Sequence, residues 1–341
     1  MGLVDLVNGR SNHKSTCEVT YEKFILQCKP GKPLRSQRDL FRLSCSVTEI
    51  IRCHRSRRER DLVCVEHHCL FSSLRLCFEN KNGIRCSVTD LLNEILLCEG
   101  NLQSIFSILL PGHVIKSNVN INIHTLYPRV STRFLNKQAM GAFEFYLHNI
   151  CELKCPMKNG KRIIDSEFDN CGCFTPLIAA CTRREPSLVL LLLKYGADPF
   201  CASVGDDSVV DPIDTLISGL NSVALFKNSS IDKETQIALN VEESKGMHCL
   251  QLIFRAVKNI PFSQTKHFET QIEERDTEKK KDYNLHPRLA ALIDTEKFSG
   301  VRELQHLCRL TIRKRIGDNP AAVSCLPVPS VMKQYLDLQM D

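Results

Sequence analysis

The chain has 341 residues, 43% of them hydrophobic and 25% charged, so it can bury a core and has room for about two or three domains. Its 45 basic and 39 acidic residues leave a net charge of +6, which by itself does not indicate a nucleic-acid-binding surface. The longest apolar run, LVLLLL at 188–193, is far shorter than the roughly 20 residues that a membrane helix needs. We therefore expect neither a nucleic acid nor a membrane as a partner.

Cysteine usage bears on the compartment. Eighteen cysteines could form a disulfide framework in a small secreted chain. This chain is large, and its opening residues, MGLVDLVNGRSNHK, contain no apolar signal-peptide core. We therefore expect reduced thiols in a cytoplasmic protein, with the nucleus as a second compartment.

Residues 1–130 contain three stretches with helical periodicity: RDLFRLSCSVTEII, SVTDLLNEILL and NLQSIFSILLPG. In the second stretch, Ser87 is placed as an N-cap, and five apolar residues recur at steps of three and four: Val88, Leu91, Leu92, Ile95 and Leu96. The alternating stretch NVNINIHTLYP at 118–128 predicts either a strand or an extended connector. We interpret residues 1–130 as a helical region, and degenerate repeats are one interpretation of it.

The clearest unit is residues 169–201, which begin DNCGCFTPLIAACTRREPSLVLLLLKYGADPF. Thr175 can cap a helix whose first turn holds Pro176, and the polar TRREP stretch then breaks that helix. A second apolar stripe follows, and Gly196 stands where a helix end needs a left-handed residue. The pattern predicts a helix–turn–helix–loop unit of about 33 residues.

This unit resembles an ankyrin repeat, because T-P-L-x-x-A and L-L-L-x-x-G-A-D both occur in the family's order and separation. The family's usual histidine is replaced by Ile178. A single repeat cannot bury both of its faces, so neighbours are expected. DPIDTLI from Asp211 repeats the proline-started helix, and MHCLQLIFRAVKNI follows as its partner after the polar insert KNSSIDKETQ. QAMGAFEFYLHNI resembles the second helix of a preceding unit.

We accordingly interpret residues 131–262 as ankyrin repeats; the alternative is that the flanking stretches are ordinary helices of an irregular α domain. Solenoids bind partners along a concave face, which makes Phe174, Arg183 and Arg184 candidates for contact with a target protein. Residues 263–300 turn polar and include the charge run EERDTEKKKD, so they predict a solvated linker.

Residues 301–341 form a compact apolar end. In VRELQHLCRLTIRKRIG, one helix face carries Leu304, Cys308 and Ile312 at four-residue steps, and Leu307, Leu310 and Ile316 lie on an adjoining face. We expect the basic residues on the solvent side: Arg309, Arg313, Lys314 and Arg315. Gly317 and Pro320 end the helix. The LPVP segment at 326–329 predicts a short rigid extended stretch, and Met332, Tyr335 and Leu336 a last helical turn.

This end of the chain resembles a SOCS box, in which a helix of pattern L-x-x-x-C-x-x-x-[apolar] precedes an L-P-x-P element. The resemblance implies that the helix binds Elongin C through Leu304, Leu307, Cys308 and Ile312. It also implies that the downstream element selects the cullin through Leu326, Pro327, Val328, Pro329, Tyr335 and Leu336. Glu303 is a departure, since Ser, Thr or Pro often precedes the leucine in the family.

Ankyrin-type repeats followed by a SOCS box are similar to the ankyrin repeat and SOCS box proteins. The resemblance implies an all-α fold: a short ankyrin-repeat solenoid with an N-terminal helical region and a C-terminal three-helix SOCS box. It also implies a non-catalytic substrate receptor without a cofactor. Such a receptor works with Elongin B, Elongin C, cullin five and a RING-box protein, and it recruits a target protein for ubiquitination and proteasomal degradation. The sequence does not identify the target.

Three other interpretations compete with this one. An enzyme is disfavoured, because no stretch resembles a nucleophile elbow, a P-loop or a dinucleotide fingerprint. A zinc site in CVEHHC could use Cys64, His67, His68 and Cys69, but no second pair stands at zinc-finger spacing, and buried helical thiols are the simpler explanation. The third is an ankyrin scaffold whose C-terminal helices cap the solenoid without any ligase.

Overall fold

The computed structural model describes residues 36–58, 67–80, 86–100, 102–109, 137–153, 160–167, 174–204, 209–227, 232–257, 304–317 and 320–339. These residues are mostly helical, in agreement with the predicted fold class. They fall into two compact units: those up to Ile108 together with 137–153, and Leu109 together with those from Gly160 onward. Among the helices of these ranges, none combines the length and the apolar composition of a membrane-spanning segment.

The first unit is a set of packed helices. They are α1 Gln37–Arg58, α2 His67–Glu79, α3 Cys86–Glu99, α4 Gln103–Phe106 and α5 Lys137–Glu152, and α4 runs into a 3-10 turn at Ser107–Leu109. The centre of this unit is α3, which packs against α1, α2 and α5. All five apolar residues predicted for its stripe, Val88 to Leu96, are buried. Because α3 already begins at Cys86, Ser87 lies inside the helix and not at its N-cap.

A buried carboxylate links two helices of this unit. Glu94 on α3 is fully buried, and its Oε1 lies 2.9 Å from Nδ1 of His54 on α1. Arg55 Nε donates to the other oxygen of the same carboxylate at 3.5 Å. A buried charge is tolerated when it is paired and hydrogen-bonded, so these contacts account for an acidic residue within an otherwise apolar helix face.

The second unit opens with a 3-10 turn, Ile163–Asp165, and contains two helix hairpins. The first hairpin is α6 Pro176–Thr182 with α7 Pro186–Lys194, and the second is α8 Pro212–Lys227 with α9 Lys233–Ala256. Between the hairpins, β1 Ser203–Val204 pairs antiparallel with β2 Val209–Val210. Since α8 packs on α6 and α9 packs on α7, the hairpins stack in the same order.

The helix ends of the first hairpin lie where the sequence predicts them. The Thr175 hydroxyl accepts a hydrogen bond from the Ile178 amide at 3.3 Å, and Pro176 occupies the first helical position. Gly196 has a φ of +82°, a backbone conformation that favours glycine at a helix end. The predicted cap, the proline start and the left-handed glycine are therefore all confirmed.

The second hairpin differs from the prediction in one respect. The polar insert was expected to delay its partner helix, but α9 already begins at Lys233, inside that insert. The reason is an N-cap at Asp232, whose carboxylate accepts a hydrogen bond from the Thr235 amide at 2.8 Å. The resulting helix is 24 residues long.

The C-terminal end contains three helices, α10 Leu304–Arg315, α11 Pro320–Cys325 and α12 Ser330–Leu336. Helix α12 packs against both α10 and α11. Several predictions lie outside the described residues: the 118–128 stretch, the linker at 263–300, and the domain boundaries at 130/131, 262/263 and 300/301. Those boundaries stay predictions.

Candidate functional site

Helix α10 presents two chemically different faces. His306, Arg309 and Arg313, at steps of three and four residues, are all buried against the rest of the second unit. On another side of the same helix, Cys308 is exposed and Ile312 retains 36% of its accessible surface. Leu307 and Leu310 are half-buried, and the side chain of Leu304 lies outside the described residues. The outer face is therefore open to a partner at Cys308 and Ile312.

The expectation that Arg309 and Arg313 face solvent is wrong: their exposed fractions are 3% and 5%. A long aliphatic stem allows an arginine to pack along apolar surface when its charged end finds suitable partners. The Arg309 guanidinium lies 3.8 Å from the ring centroid of Tyr335, in cation–π geometry. Lys314 and Arg315, by contrast, are exposed as predicted.

Arg313 reaches three main-chain carbonyls. Its Nη2 donates to the oxygen of Leu193 at 2.7 Å and to that of Lys194 at 3.2 Å, both at the end of α7. Its Nη1 donates to the oxygen of Leu336 at 3.0 Å, at the end of α12. One side chain therefore contacts both the first hairpin and the last helix of the chain.

The LPVP segment separates α11 from α12 and is not helical, as predicted. Leu326 and Val328 are half-buried, whereas Pro327 and Pro329 are exposed. Pro329 has φ −54° and ψ 153°, close to polyproline geometry, and is the N-cap residue of α12. Because half-buried and exposed residues alternate, one side of the segment packs against the protein and the other faces solvent.

Helix α12 divides in the same way. Val331 and Met332 are exposed, Tyr335 is half-buried beneath Arg309, and Leu336 is buried with 2% of its surface accessible. Leu336 was predicted as a cullin contact, but its side chain offers almost no surface to a partner. Its carbonyl oxygen accepts the hydrogen bond from Arg313.

The predicted target-binding residues are only partly available. Phe174 and Arg183 are half-buried, and burial lowers the pKa of the Arg183 guanidinium. Arg184 adopts a φ of +49°, and its side chain reaches the second hairpin. There its Nη2 donates a hydrogen bond to the Gly219 carbonyl oxygen at 3.2 Å, and its Nη1 lies 3.7 Å from a carboxylate oxygen of Glu242. Arg184 therefore joins the two hairpins.

Within the described ranges, no three His, Cys, Asp or Glu residues are grouped as a metal site. Cys69 is buried in α2. Cys64 and the side chains of His67 and His68 lie outside the described residues.

The comparison with protein families identifies the C-terminal end. Residues 300–337 match the SOCS box family, and the match spans α10, α11 and α12. No curated protein and no solved structure is significantly similar to the chain. The chain thus contains a SOCS box, and the ankyrin resemblance of the helix hairpins stays a prediction.

The sequence missed the inward face of α10. His306, Arg309 and Arg313 are polar, so the apolar pattern alone places them in solvent. Their i, i+3, i+7 spacing was the available signal, because it puts three polar residues on one stripe of the helix. The acceptors of Arg313 on α7, however, are 119 and 120 residues away in the chain.

Proposed function

We propose that the chain is the substrate-recognition subunit of a ubiquitin ligase built on Elongin B, Elongin C, cullin five and a RING-box protein. The observation that carries the proposal is the SOCS box at residues 300–337 together with the open outer face of its first helix. Cys308 and Ile312 lie on that face, so an Elongin C groove can accept the helix without displacing its packed side.

The scaffold interpretation also has an observation in its favour. The inward face of α10 contacts the main chain of α7 and of the residue after α9, as a cap would. A cap alone does not account for the exposed apolar residues of the box, Ile312, Val331 and Met332. Capping and partner binding use different faces, so we assign both to the same helix.

The target protein would bind to the helix hairpins, which we interpret as ankyrin-type repeats. The second hairpin carries large exposed apolar side chains at the end where α8 connects to α9. They are Leu225 and Phe226 late in α8, and Ile237 and Val241 early in α9. Ile237 and Val241 are four residues apart and share one helix face. Exposed apolar residues of this kind are typical of protein-binding surfaces.

Elongin binding tests the proposal directly. Leu304→Ala should weaken binding of Elongin B and C by about ten- to a hundredfold, because truncating an interface anchor costs about 2 kcal/mol or more. Cys308→Phe should block docking by overpacking. Lys314→Ala is the matched control, because Lys314 is exposed on α10 and lies two residues after Ile312 and six after Cys308, away from their face. Binding is measured by co-purification with Elongin B and C and by the dissociation constant of the complex. If Leu304→Ala and Cys308→Phe both bind as tightly as the parent chain, the proposed ligase function is contradicted.

Cullin selection is tested separately. Changing Leu326 and Pro327 together to alanine should abolish recovery of cullin five while Elongin C still co-purifies. Loss of both partners together would mean that the segment holds the fold of the box. The same double variant serves in proximity labelling to find the target, because targets should accumulate when the cullin cannot bind.

A further inference from the structure

Four polar contacts attach the SOCS box to the helix hairpins of the same unit. Arg313 donates hydrogen bonds to carbonyl oxygens of Leu193 and Lys194. Nζ of Lys194 lies 3.3 Å from a carboxylate oxygen of Asp337, and both side chains are largely buried. His306 Nε2 lies 2.8 Å from the carbonyl oxygen of Val257. These contacts involve the first helix of the box, its last residues, α7 and the end of α9.

Arg313 occupies a position where two helix ends meet. Helix α7 ends at Lys194 and α12 ends at Leu336, and the last carbonyls of a helix have no partner within the helix. Each helix C-terminus carries a partial charge of about −0.5, so one guanidinium is well matched to two of them. Because Nη1 serves one helix end and Nη2 the other, the planar fork of an arginine suits the position better than a single ammonium does.

The end of the chain is held in an unfavourable backbone conformation at the same junction. Leu338 has a φ of +63° and is fully buried, although a leucine rarely adopts positive φ. Such a residue persists when the surrounding structure over-determines it. The neighbouring Leu336 and Asp337 supply that surrounding through the contacts to Arg313 and Lys194.

We propose that Arg313 is a positioning residue that clamps the SOCS box onto the helix hairpins, so that the two move as one rigid body. The clamp fixes the direction in which a target protein on the hairpins faces the ligase core. This meaning rests on the proposed function, whereas the rigidity itself is a property of the isolated chain.

The test measures the distance between two spin labels, carried by genetically encoded nitroxide residues, because the chain has 18 cysteines. The labels replace exposed Ser187 at the start of α7 and exposed Gln334 on α12. The full chain with Arg313→Met is compared with the matched variant Arg315→Met, which makes the same change at an exposed position of the same helix turn. We expect one narrow distance distribution for the parent chain and for Arg315→Met, and a broad one for Arg313→Met.

Elongin B and C should co-purify equally with the parent chain and with Arg313→Met, because Cys308 and Ile312 lie on a different face of α10 from Arg313. Arg315→Met is the control for the distance distribution alone, because Arg315 lies three residues after Ile312 and seven after Cys308 on their own face. An unchanged narrow distribution in Arg313→Met would overturn the clamp. If Arg313→Met loses its helical circular dichroism, Arg313→Lys decides: partial broadening supports the clamp, and the parent width overturns it. If the parent chain gives a narrow distance distribution but binds no Elongin, the result would support the clamp and contradict the proposed function.

Discussion

Nε2 of His306 lies 2.8 Å from the carbonyl oxygen of Val257, the residue that follows the last turn of α9. Both residues are buried. Because a carbonyl oxygen can only accept, this bond requires the imidazole to carry a proton on Nε2. The bond joins residues 49 positions apart in the chain, so the first helix of the SOCS box satisfies a main-chain group of the preceding hairpin.

We expect His306→Ala to lower the free energy of unfolding by about 1–3 kcal/mol, because it leaves a buried carbonyl without a hydrogen-bond donor. Gln305→Ala removes an exposed side chain from the neighbouring position and should change stability by less than about 0.5 kcal/mol. Urea unfolding of both variants provides the measurement. If His306→Ala unfolds at the same urea concentration as the parent chain, the His306 hydrogen bond contributes nothing to stability.

Arg309 should be less important for stability than its burial suggests. Stacking on Tyr335 contributes about 0.5–2 kcal/mol, but Nε and Nη1 are buried with no hydrogen-bond acceptor among the described residues, which opposes that gain. We expect Arg309→Met to lower the free energy of unfolding by at most about 1 kcal/mol. Arg313→Met, which strips donors from three carbonyls, should cost clearly more in the same urea titration. A larger loss of stability in Arg309→Met than in Arg313→Met would contradict the prediction.

The sequence predicted best those features that are decided within a few residues. Thr175, Pro176 and Gly196 each act on the backbone next to them, so their chemistry identifies the helix ends of the first hairpin without knowledge of the fold. The apolar stripe of α3 was likewise readable from its spacing alone. The first and last helices of the SOCS box belong to the same class, since four-residue steps and the LPVP segment define them, whereas α11 was expected only from the family resemblance.

The missed features depend on distant parts of the chain. Arg313 is buried because two helix ends converge on it, and nothing within its own helix indicates those acceptors. The paired Glu94 and His54 are 40 residues apart and were not predicted for the same reason. The start of α9 is a different error, because Asp232 and Thr235 form a local cap that the sequence contained.

Two glycines in helix interiors should respond to alanine with opposite signs. A Cβ on Gly246 of α9 would lie 2.9 Å from Cδ2 and 3.3 Å from Cγ of Leu220, which is itself fully buried. Overpacking costs about 1–3 kcal/mol and outweighs the ~1 kcal/mol that alanine gains in helix propensity. We therefore expect Gly246→Ala to destabilise the chain by about 1 kcal/mol in thermal or urea unfolding.

Gly141→Ala on α5 is the comparison for Gly246→Ala. Its Cβ would meet only the Phe78 ring at 3.8 Å, an ordinary contact, so the propensity term acts alone. We expect a gain of about 0.5–1 kcal/mol in the free energy of unfolding. Destabilisation at Gly141 or stabilisation at Gly246 would show that the helix packs differently at that position.

Stability should decline in alkaline solution as buried thiols become exposed on unfolding. Burial raises the pKa of Cys249 to about 12, whereas an unfolded thiol titrates near 8.5. Between these pH values the unfolded chain binds fewer protons than the folded chain. The contribution of the Cys249 thiol to the free energy of unfolding is therefore complete below about pH 8.5. It falls as the pH rises, by up to about 1.4 kcal/mol per pH unit. Cys249→Ala should reduce this slope, and Cys45→Ala, at an exposed position, should not. Unfolding free energies measured at pH 8 to 11 would decide, and identical slopes for the parent chain and Cys249→Ala would contradict the prediction.

Cys308 gives a direct readout of the partner face without any substitution. Its thiol is exposed in the free chain, as is that of Cys45 on α1, which lies in the other unit. We expect iodoacetamide to alkylate both in the free chain, whereas saturating Elongin B and C should protect Cys308 because the outer face of α10 is then covered. At a partner concentration of about 100 times the dissociation constant, about 1% of the chain is free, so the alkylation rate of Cys308 should fall about a hundredfold. Peptide mass spectrometry measures both rates in one sample, and Cys45 is the internal control. If Cys308 is alkylated equally fast in a complex that demonstrably contains Elongin C, the partner does not cover this face of the helix.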